Sequence, residues 1–281
     1  MPTLVVNGAN IQYEEMGEGI PIILTPGSRY DMNAVRGLAE QLASEYRVII
    51  YDRRNCGASD VIISGDLSEQ EIWADDLYEI LHQLQAIPAY VGGGSAGCRV
   101  SLMLAIRHPE SVKGLLLWHI TGGSVAAEQL GYSYYEEFIE IAKKDGMQGV
   151  IATDFFAERI RQNPSNLDRL VAMHTGDFIS VMERWRTFFT DKDPVIGSTK
   201  EQLDEIAVPA VIIPGDDDVH PLLVGQNLHS ILHDSELHSP VWSKEEEERL
   251  ALKEPDVLQQ LGTSRRARIF LQFLSNHESQ S

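Results

Sequence analysis

Cysteine is nearly absent from this chain: Cys56 and Cys98 are the two thiols in 281 residues. Two cysteines cannot build a disulfide framework, and nothing pairs them at metal-ligand spacing, so they read as free thiols of a reducing compartment. Basic residues are scarce as well, 23 Lys and Arg against 42 Asp and Glu, for a formal net charge of −19. Such a surface repels phosphate backbones and anionic bilayers, which argues against nucleic-acid and membrane partners. An anionic small molecule would need a local basic site. No run approaches the roughly 18 apolar residues of a membrane span. The opening residues Met1 to Asn10 lack the basic stretch and long apolar run of a secretory signal. A soluble, cytoplasmic protein is expected. No H-E-x-x-H, paired C-x-x-C or G-x-x-x-x-G-K occurs, and Gly92, Gly93 and Gly94 do not complete G-x-G-x-x-G. Neither a metal nor a cofactor is therefore expected.

What is present is ordinary globular composition, 43% hydrophobic and 23% charged with 22 Gly and 12 Pro, which excludes collagen-like, disordered and coiled-coil chains. Short apolar runs end at turn residues: Pro21–Leu24 before Thr25-Pro26-Gly27, Arg47–Tyr51 before Asp52, Ala89–Val91 before three glycines, Val112–Trp118 before Thr121-Gly122-Gly123, and Val208–Ile213 before Pro214-Gly215. Runs this short and apolar suit strands buried on both faces of a parallel sheet. Helical patterns lie between them at Asp31–Ser44, Ser68–Leu84 and Ala96–His108. The alternation predicts an α/β doubly wound, mostly parallel sheet, and Thr3–Glu15, broken by Asn7-Gly8, reads as an edge hairpin. From Thr121 to about Ile206 strand-like runs vanish and aromatic helical segments take over. Residues 121–206 are thus expected to form a helical cap (lid) inserted into a core of residues 1–120 and 207–281. The aromatics Tyr132, Tyr134, Tyr135, Phe138, Phe155, Phe156, Trp185, Phe188 and Phe189 would pack a core of their own, with some lining a pocket beneath it. The glutamate run Glu245–Glu248 reads as a solvated helix start.

The strongest chemical signal is Gly93-Gly94-Ser95-Ala96-Gly97, a G-x-S-x-G sequence between a strand and a helix. A sharp turn there lifts the Ser95 hydroxyl above the sheet, and its strained backbone tolerates only small neighbours. The helix N-terminus adds positive potential where an oxyanion would develop.

On these residues the chain resembles the α/β-hydrolase superfamily, and three further segments share the likeness. Pro21–Gly27 is similar to the family's third strand and its turn. Tyr51-Asp52-Arg53-Arg54-Asn55-Cys56-Gly57-Ala58-Ser59-Asp60 resembles a D-x-R-G-x-G-x-S loop, and Ile212–Asp218 resembles the penultimate strand with its acid-bearing turn. The resemblance implies Ser95 as nucleophile and Asp218 as the acid, with the amides of Ser28 and Ala96 as an oxyanion hole. Asp216 and Asp217 read as turn residues.

One departure matters. The family places Gly-His after its last strand, expected here near Ser235–Pro240, but Val241-Trp242-Ser243-Lys244 follows instead. Either the base has moved to another histidine, or the protein is not a standard triad hydrolase. His220, two residues after Asp218, keeps the Ser, Asp, His order; it would serve as base or else fix the turn. His119 ends the Val112–Trp118 strand at the pocket rim, where it would contact substrate or act as base. His238, within or just after the last strand, is a further candidate for base or substrate contact, and His174, in the insertion, for substrate contact. Arg29 would grip a carboxylate or phenolate of the substrate, or else pair with Asp31 on the surface. Arg53 and Arg54 read as loop ties, and His82 and His108 as structural.

The expected activity is cofactor-independent hydrolysis of a small hydrophobic or aromatic ester, lactone or thioester. The alternatives are a lyase or C–C bond-cleaving enzyme on the same scaffold, and a non-catalytic ligand-binding protein. The partner is a small-molecule substrate; a homo-oligomer is compatible with the sequence.

Overall fold

The computed structural model describes residues 1–243, 246, 249 and 254–279. Eight strands form one sheet: β1 (Thr3–Val6), β2 (Ala9–Met16), β3 (Pro21–Thr25), β4 (Arg47–Tyr51), β5 (Ala89–Gly94), β6 (Val112–Trp118), β7 (Ala210–Ile213) and β8 (Ser235–Leu237). Their order across the sheet is β1-β2-β4-β3-β5-β6-β7-β8. β1 and β2 pair antiparallel, as do β2 and β4, and every later pairing is parallel. The hairpin turn sits at Asn7 and Gly8, both at positive φ (44° and 79°), which matches the primed turns favoured between twisted strands.

Helices cover both faces, because the parallel strands are apolar on both sides. One face receives α1 (Asn33–Leu42) and α11 (Pro255–Glu278), burying Val35, Leu38, Phe270, Phe273 and Leu274 against Leu24, Ile50 and Leu116. The other receives α2 (Glu69–Gln83), α3 (Ala96–Arg107) and α10 (Leu222–Ile231), through Trp73, Leu77, Val100, Leu104 and Leu228. Ser68 starts α2 with a reciprocal capping box to Glu71.

Between β6 and β7 the chain is helical: α4 (Ser124–Gly131), a π-helical turn (Tyr132–Glu136), α5 (Glu137–Ala152), α6 (Asp154–Gln162), α7 (Ser165–Val171), α8 (Thr175–Arg186) and α9 (Lys200–Asp204). Its aromatics mostly pack on one another; Tyr135, Phe138, Phe156, Trp185 and Phe189 are buried in one cluster with Val61 and Ile63. Tyr132 is exposed instead, and Tyr134 reaches toward the sheet. Of the glutamate run, Glu245, Glu247 and Glu248 lie outside the described residues; Glu246 accepts two hydrogen bonds from Arg265 at 2.8 Å.

Candidate functional site

Parallel register aligns the C-terminal ends of four neighbouring strands. Thr25 stands beside Gly93, Gly94 beside Trp118, and Trp118 beside Ile213. The loops that follow β3, β5, β6 and β7 therefore open at one rim, where doubly wound sheets place their ligands. These loops carry Ser28, Ser95, His119, Asp217 and His220, and all five line one cavity of about 520 Å³.

Ser95 is the hinge between β5 and α3, held at φ 55° and ψ −113°. A non-glycine residue in that region stores on the order of 1–3 kcal/mol of strain, tolerated where the surroundings over-determine it. The surroundings are the flanking glycines. A Cβ on Gly97 would stand 2.2 Å from the Thr25 carbonyl oxygen, and one on Gly93 would stand 2.3 Å from the Gly97 carbonyl carbon. The Ser95 amide donates to the carbonyls of Trp118 (3.2 Å) and His119 (3.1 Å), tying the elbow to the end of β6. Gly27 packs on the other side, its hypothetical Cβ 3.6 Å from Ser95 Cβ.

The Ser95 Oγ lies 2.9 Å from His220 Nε2. The opposite nitrogen of that ring, Nδ1, lies 2.9 and 3.1 Å from the two carboxylate oxygens of Asp217. With Nδ1–H donating to Asp217, Nε2 is left to accept the serine hydroxyl. Asp217 Oδ1 also accepts the amides of Val219 (2.8 Å) and His220 (2.9 Å), so a single carboxylate folds the turn and orients the ring. Burial opposes ionisation of Asp217, but the hydrogen bonds and charge of His220 and the two amides outweigh it, holding the carboxyl below its usual range.

The carboxylate on His220 is thus that of Asp217, and the expectation for Asp218 is corrected: Asp218 is exposed, while its neighbour closes the turn. The reason is an i, i+3 turn that brings residue 217 back over the imidazole. Gly215 makes room for it, since a Cβ there would stand 2.5 Å from His220 Cβ. Asp-x-x-His spacing in a turn was the available signal.

His119 sits at φ 52°, with its ring centroid 5.3 Å from that of His220. Desolvation, then the charges of Arg266 and His220, push its pKa down to about 3, so it stands neutral in the cavity wall. His238 is not brought to this site; it is part-exposed beside β8, its Nε2 3.6 Å from Glu236. His174 caps α8, its Nδ1 accepting the Gly176 amide at 3.3 Å.

Arg29 corrects another expectation. Its guanidinium is buried and 2.5 Å from Glu69, rather than free for a ligand or paired with Asp31 on the surface. Glu69 also accepts from Tyr135 Oη and Asn55 Nδ2, both at 2.8 Å. Burial works against the Arg29 charge, and the Glu69 carboxylate overrides it, raising the pKa. The ring faces of Tyr134, Tyr135 and Phe155 surround the cation at 5.0–5.2 Å, so the residue links the β3 loop to the helical insertion. Arg53 donates to the Gly27 and Ser28 carbonyls and Arg54 pairs with Asp76, loop ties as expected.

Ser28, at φ 40°, follows Gly27 with its Oγ accepting from Tyr134 Oη at 3.2 Å. Tyr134 lies in the π-helical turn, a feature common at functional sites, and only its place in an aromatic run marked it in the sequence. Among the described residues no group of His, Cys, Asp and Glu could hold a metal ion, and no helix is long and apolar enough to cross a membrane. Cys56 and Cys98 are free and buried, and burial pushes the Cys98 thiol up to about 12.

Comparison with known proteins agrees with this architecture. YraK of Bacillus subtilis (strain 168), described as an uncharacterized hydrolase, is 34% identical over 155 residues, 53% of this chain and 55% of that protein. The 2-hydroxymuconate semialdehyde hydrolase of Pseudomonas sp. (strain CF600) is 30% identical over 124 residues, 43% of this chain and 44% of that protein. The matched region thus spans about half the length of these curated relatives. The enol-lactonase from Burkholderia xenovorans LB400 superposes with a TM-score of 0.59 at 20% identity, covering 92% of this chain and 99% of that one. The model of the alpha/beta hydrolase fold matches residues 20–186, more than half of the sequence, and the chain belongs to that family.

Proposed function

We propose that the protein is a serine hydrolase of small esters, lactones or thioesters, with Ser95, His220 and Asp217 as its relay. The observation that carries this reading is the 2.9 Å contact between Ser95 Oγ and His220 Nε2 at a strained elbow. His220 takes the serine proton as Oγ attacks the substrate carbonyl, and Asp217 stabilises the imidazolium that forms. The oxyanion faces the amides of Ser28 and Ala96, the latter at the N-terminus of α3, where the helix dipole favours negative charge. His220 then returns the proton to the leaving group. Water, deprotonated by the same imidazole, releases the acyl chain, so one ester bond and one water become an acid and an alcohol. The helical insertion acts as a cap, bringing Leu130 and Tyr134 to the cavity wall and excluding water.

The test combines labelling and turnover. A fluorophosphonate probe is expected to modify Ser95, read by peptide mass spectrometry, and not to modify the Ser95→Ala protein. The Ser95→Ala and His220→Ala variants are expected to lose at least about a thousandfold in kcat on a panel of p-nitrophenyl esters and thioesters. Oxygen from labelled water should appear in the acid product. Turnover without that oxygen would move the assignment to a lyase on this scaffold. Folded protein that neither labels nor turns over any of the panel would refute the hydrolase reading.

A further inference from the structure

The cavity above Ser95 has walls of unlike character. On one side α1 presents Ala34, Val35 and Leu38; on the other α11 presents Gln259, Thr263 and Arg266. The spacings of four and three residues put an amide, a hydroxyl and a guanidinium on one helical stripe. Arg266 lies 6.0 Å from the ring centroid of Trp118, and its charge is felt at the neighbouring His119. The cation therefore lines the same cavity as Ser95, His119 and His220.

Arg266 is unlike Arg29 and Arg54, whose buried guanidinium groups are answered by Glu69 and Asp76. Among the described residues no carboxylate pairs with Arg266; its Nε, like that of Arg29, is buried without a hydrogen-bond partner. Burial pulls its pKa down to about 10, and among the described residues no acid offsets the loss of hydration. The carboxylate that shares the cavity, Asp217, is engaged by His220. A guanidinium shielded in part from water and paired with no carboxylate among the described residues gains from an anion that enters the cavity. Its fork of donors matches a carboxylate, and Gln259 and Thr263 offer further donors on the same stripe.

We propose that Arg266 is the subsite for a free carboxylate on the substrate. The enzyme then acts on esters, lactones or thioesters of small acids that keep a second, ionised carboxyl group. This rests on the hydrolase reading for the reaction, though not for the binding. The negative net charge of the chain makes such a local cation necessary, because an anion approaching this surface is otherwise repelled. Apolar contact with α1 would hold the carbon chain between the reacting carbonyl and Arg266.

Two readouts separate this proposal from the one on which it rests. The first compares kcat/KM for mono-p-nitrophenyl adipate and p-nitrophenyl hexanoate, six-carbon acyl chains that differ in the terminal carboxylate. The adipate-to-hexanoate ratio is expected to fall roughly ten- to hundredfold in Arg266→Gln, mainly through KM, and to recover in part in Arg266→Lys. The second is calorimetric binding of adipate itself to the Ser95→Ala protein, expected to weaken at least tenfold when Arg266→Gln is added. Adipate binding that depends on Arg266, in a protein that cleaves neither ester, would leave the carboxylate subsite standing and remove the hydrolase reading. A ratio unmoved by Arg266→Gln, or adipate binding that is absent or indifferent to it, would overturn the subsite.

Discussion

Asp217 and Asp218 are neighbours of the same chemistry, and exchanging each for Asn distinguishes them. Asp217 contacts Nδ1 of His220, yet its side chain is 57% exposed against 16% for the histidine. At charge separations of about 4 Å the attraction to an imidazolium is about 1 kcal/mol in water and about 4 kcal/mol at an effective dielectric near 20. Those limits correspond to about fivefold and about a thousandfold in rate, and a half-exposed carboxylate falls between them, near a hundredfold. Asn at 217 keeps an oxygen for the Val219 and His220 amides but removes the charge and the preference for the Nδ1–H tautomer. The expected result is a drop in kcat/KM of about a hundredfold for Asp217→Asn and less than about threefold for Asp218→Asn, measured on whichever ester the wild type cleaves best. Because the Asp217 carboxyl is held below its usual range, it stays ionised through mildly acidic pH, and its protonation weakens the relay only below that range. A loss in Asp218→Asn equal to or larger than that in Asp217→Asn would refute the assignment of the acid.

Two further expectations concern stability. Replacing Glu69 by Gln strips the counter-charge from buried Arg29 and should destabilise the fold by about 3–5 kcal/mol in urea unfolding; a change within ~0.5 kcal/mol would mean that the Arg29 charge is solvated in some other way. His119 has its folded pKa, about 3, below the unfolded value, so between about pH 6.5 and 3 the unfolded chain binds a proton that the native chain refuses. Stability should therefore fall with pH across that window, by up to about 1.4 kcal/mol per unit from this group. The variant His119→Asn, which tolerates the positive φ, should show a shallower slope; parallel curves would contradict it.

The parts of this architecture that depend on neighbours in sequence could be read from it, and those that depend on tertiary meetings could not. The elbow was legible because Gly93, Ser95 and Gly97 must be small or strained whatever surrounds them, and the hairpin because Asn7-Gly8 specifies its own turn. The parallel sheet followed from apolar runs ended by turn residues. His220 was picked out by its place after β7, but the choice between adjacent aspartates turned on which side chain the turn folds back, a matter of dihedral angles that spacing alone did not decide. The pairing of Arg29 cannot be read from the sequence, because its partner Glu69 lies 40 residues away, in a helix whose inward face cannot be known until α2 docks. Arg266 left no signal at all, since a single arginine in a long helix looks like any solvated one until the cavity beside it exists.

The proposed relay is built on two very different length scales. Asp217 and His220 are three positions apart and can close their hydrogen bond as a local turn, while Ser95 and His220 are 125 positions apart and meet only when β5, β6 and β7 are in register. Local turns form orders of magnitude faster than such long-range pairings. On the proposed reading, the aspartate–histidine contact depends on a local turn alone, whereas the contact that would make the protein active depends on the long-range pairing of the strands. Loosening of the β6–β7 seam would separate Ser95 from His220 and leave the Asp217–His220 hydrogen bonds in place, half of the proposed machinery intact and idle.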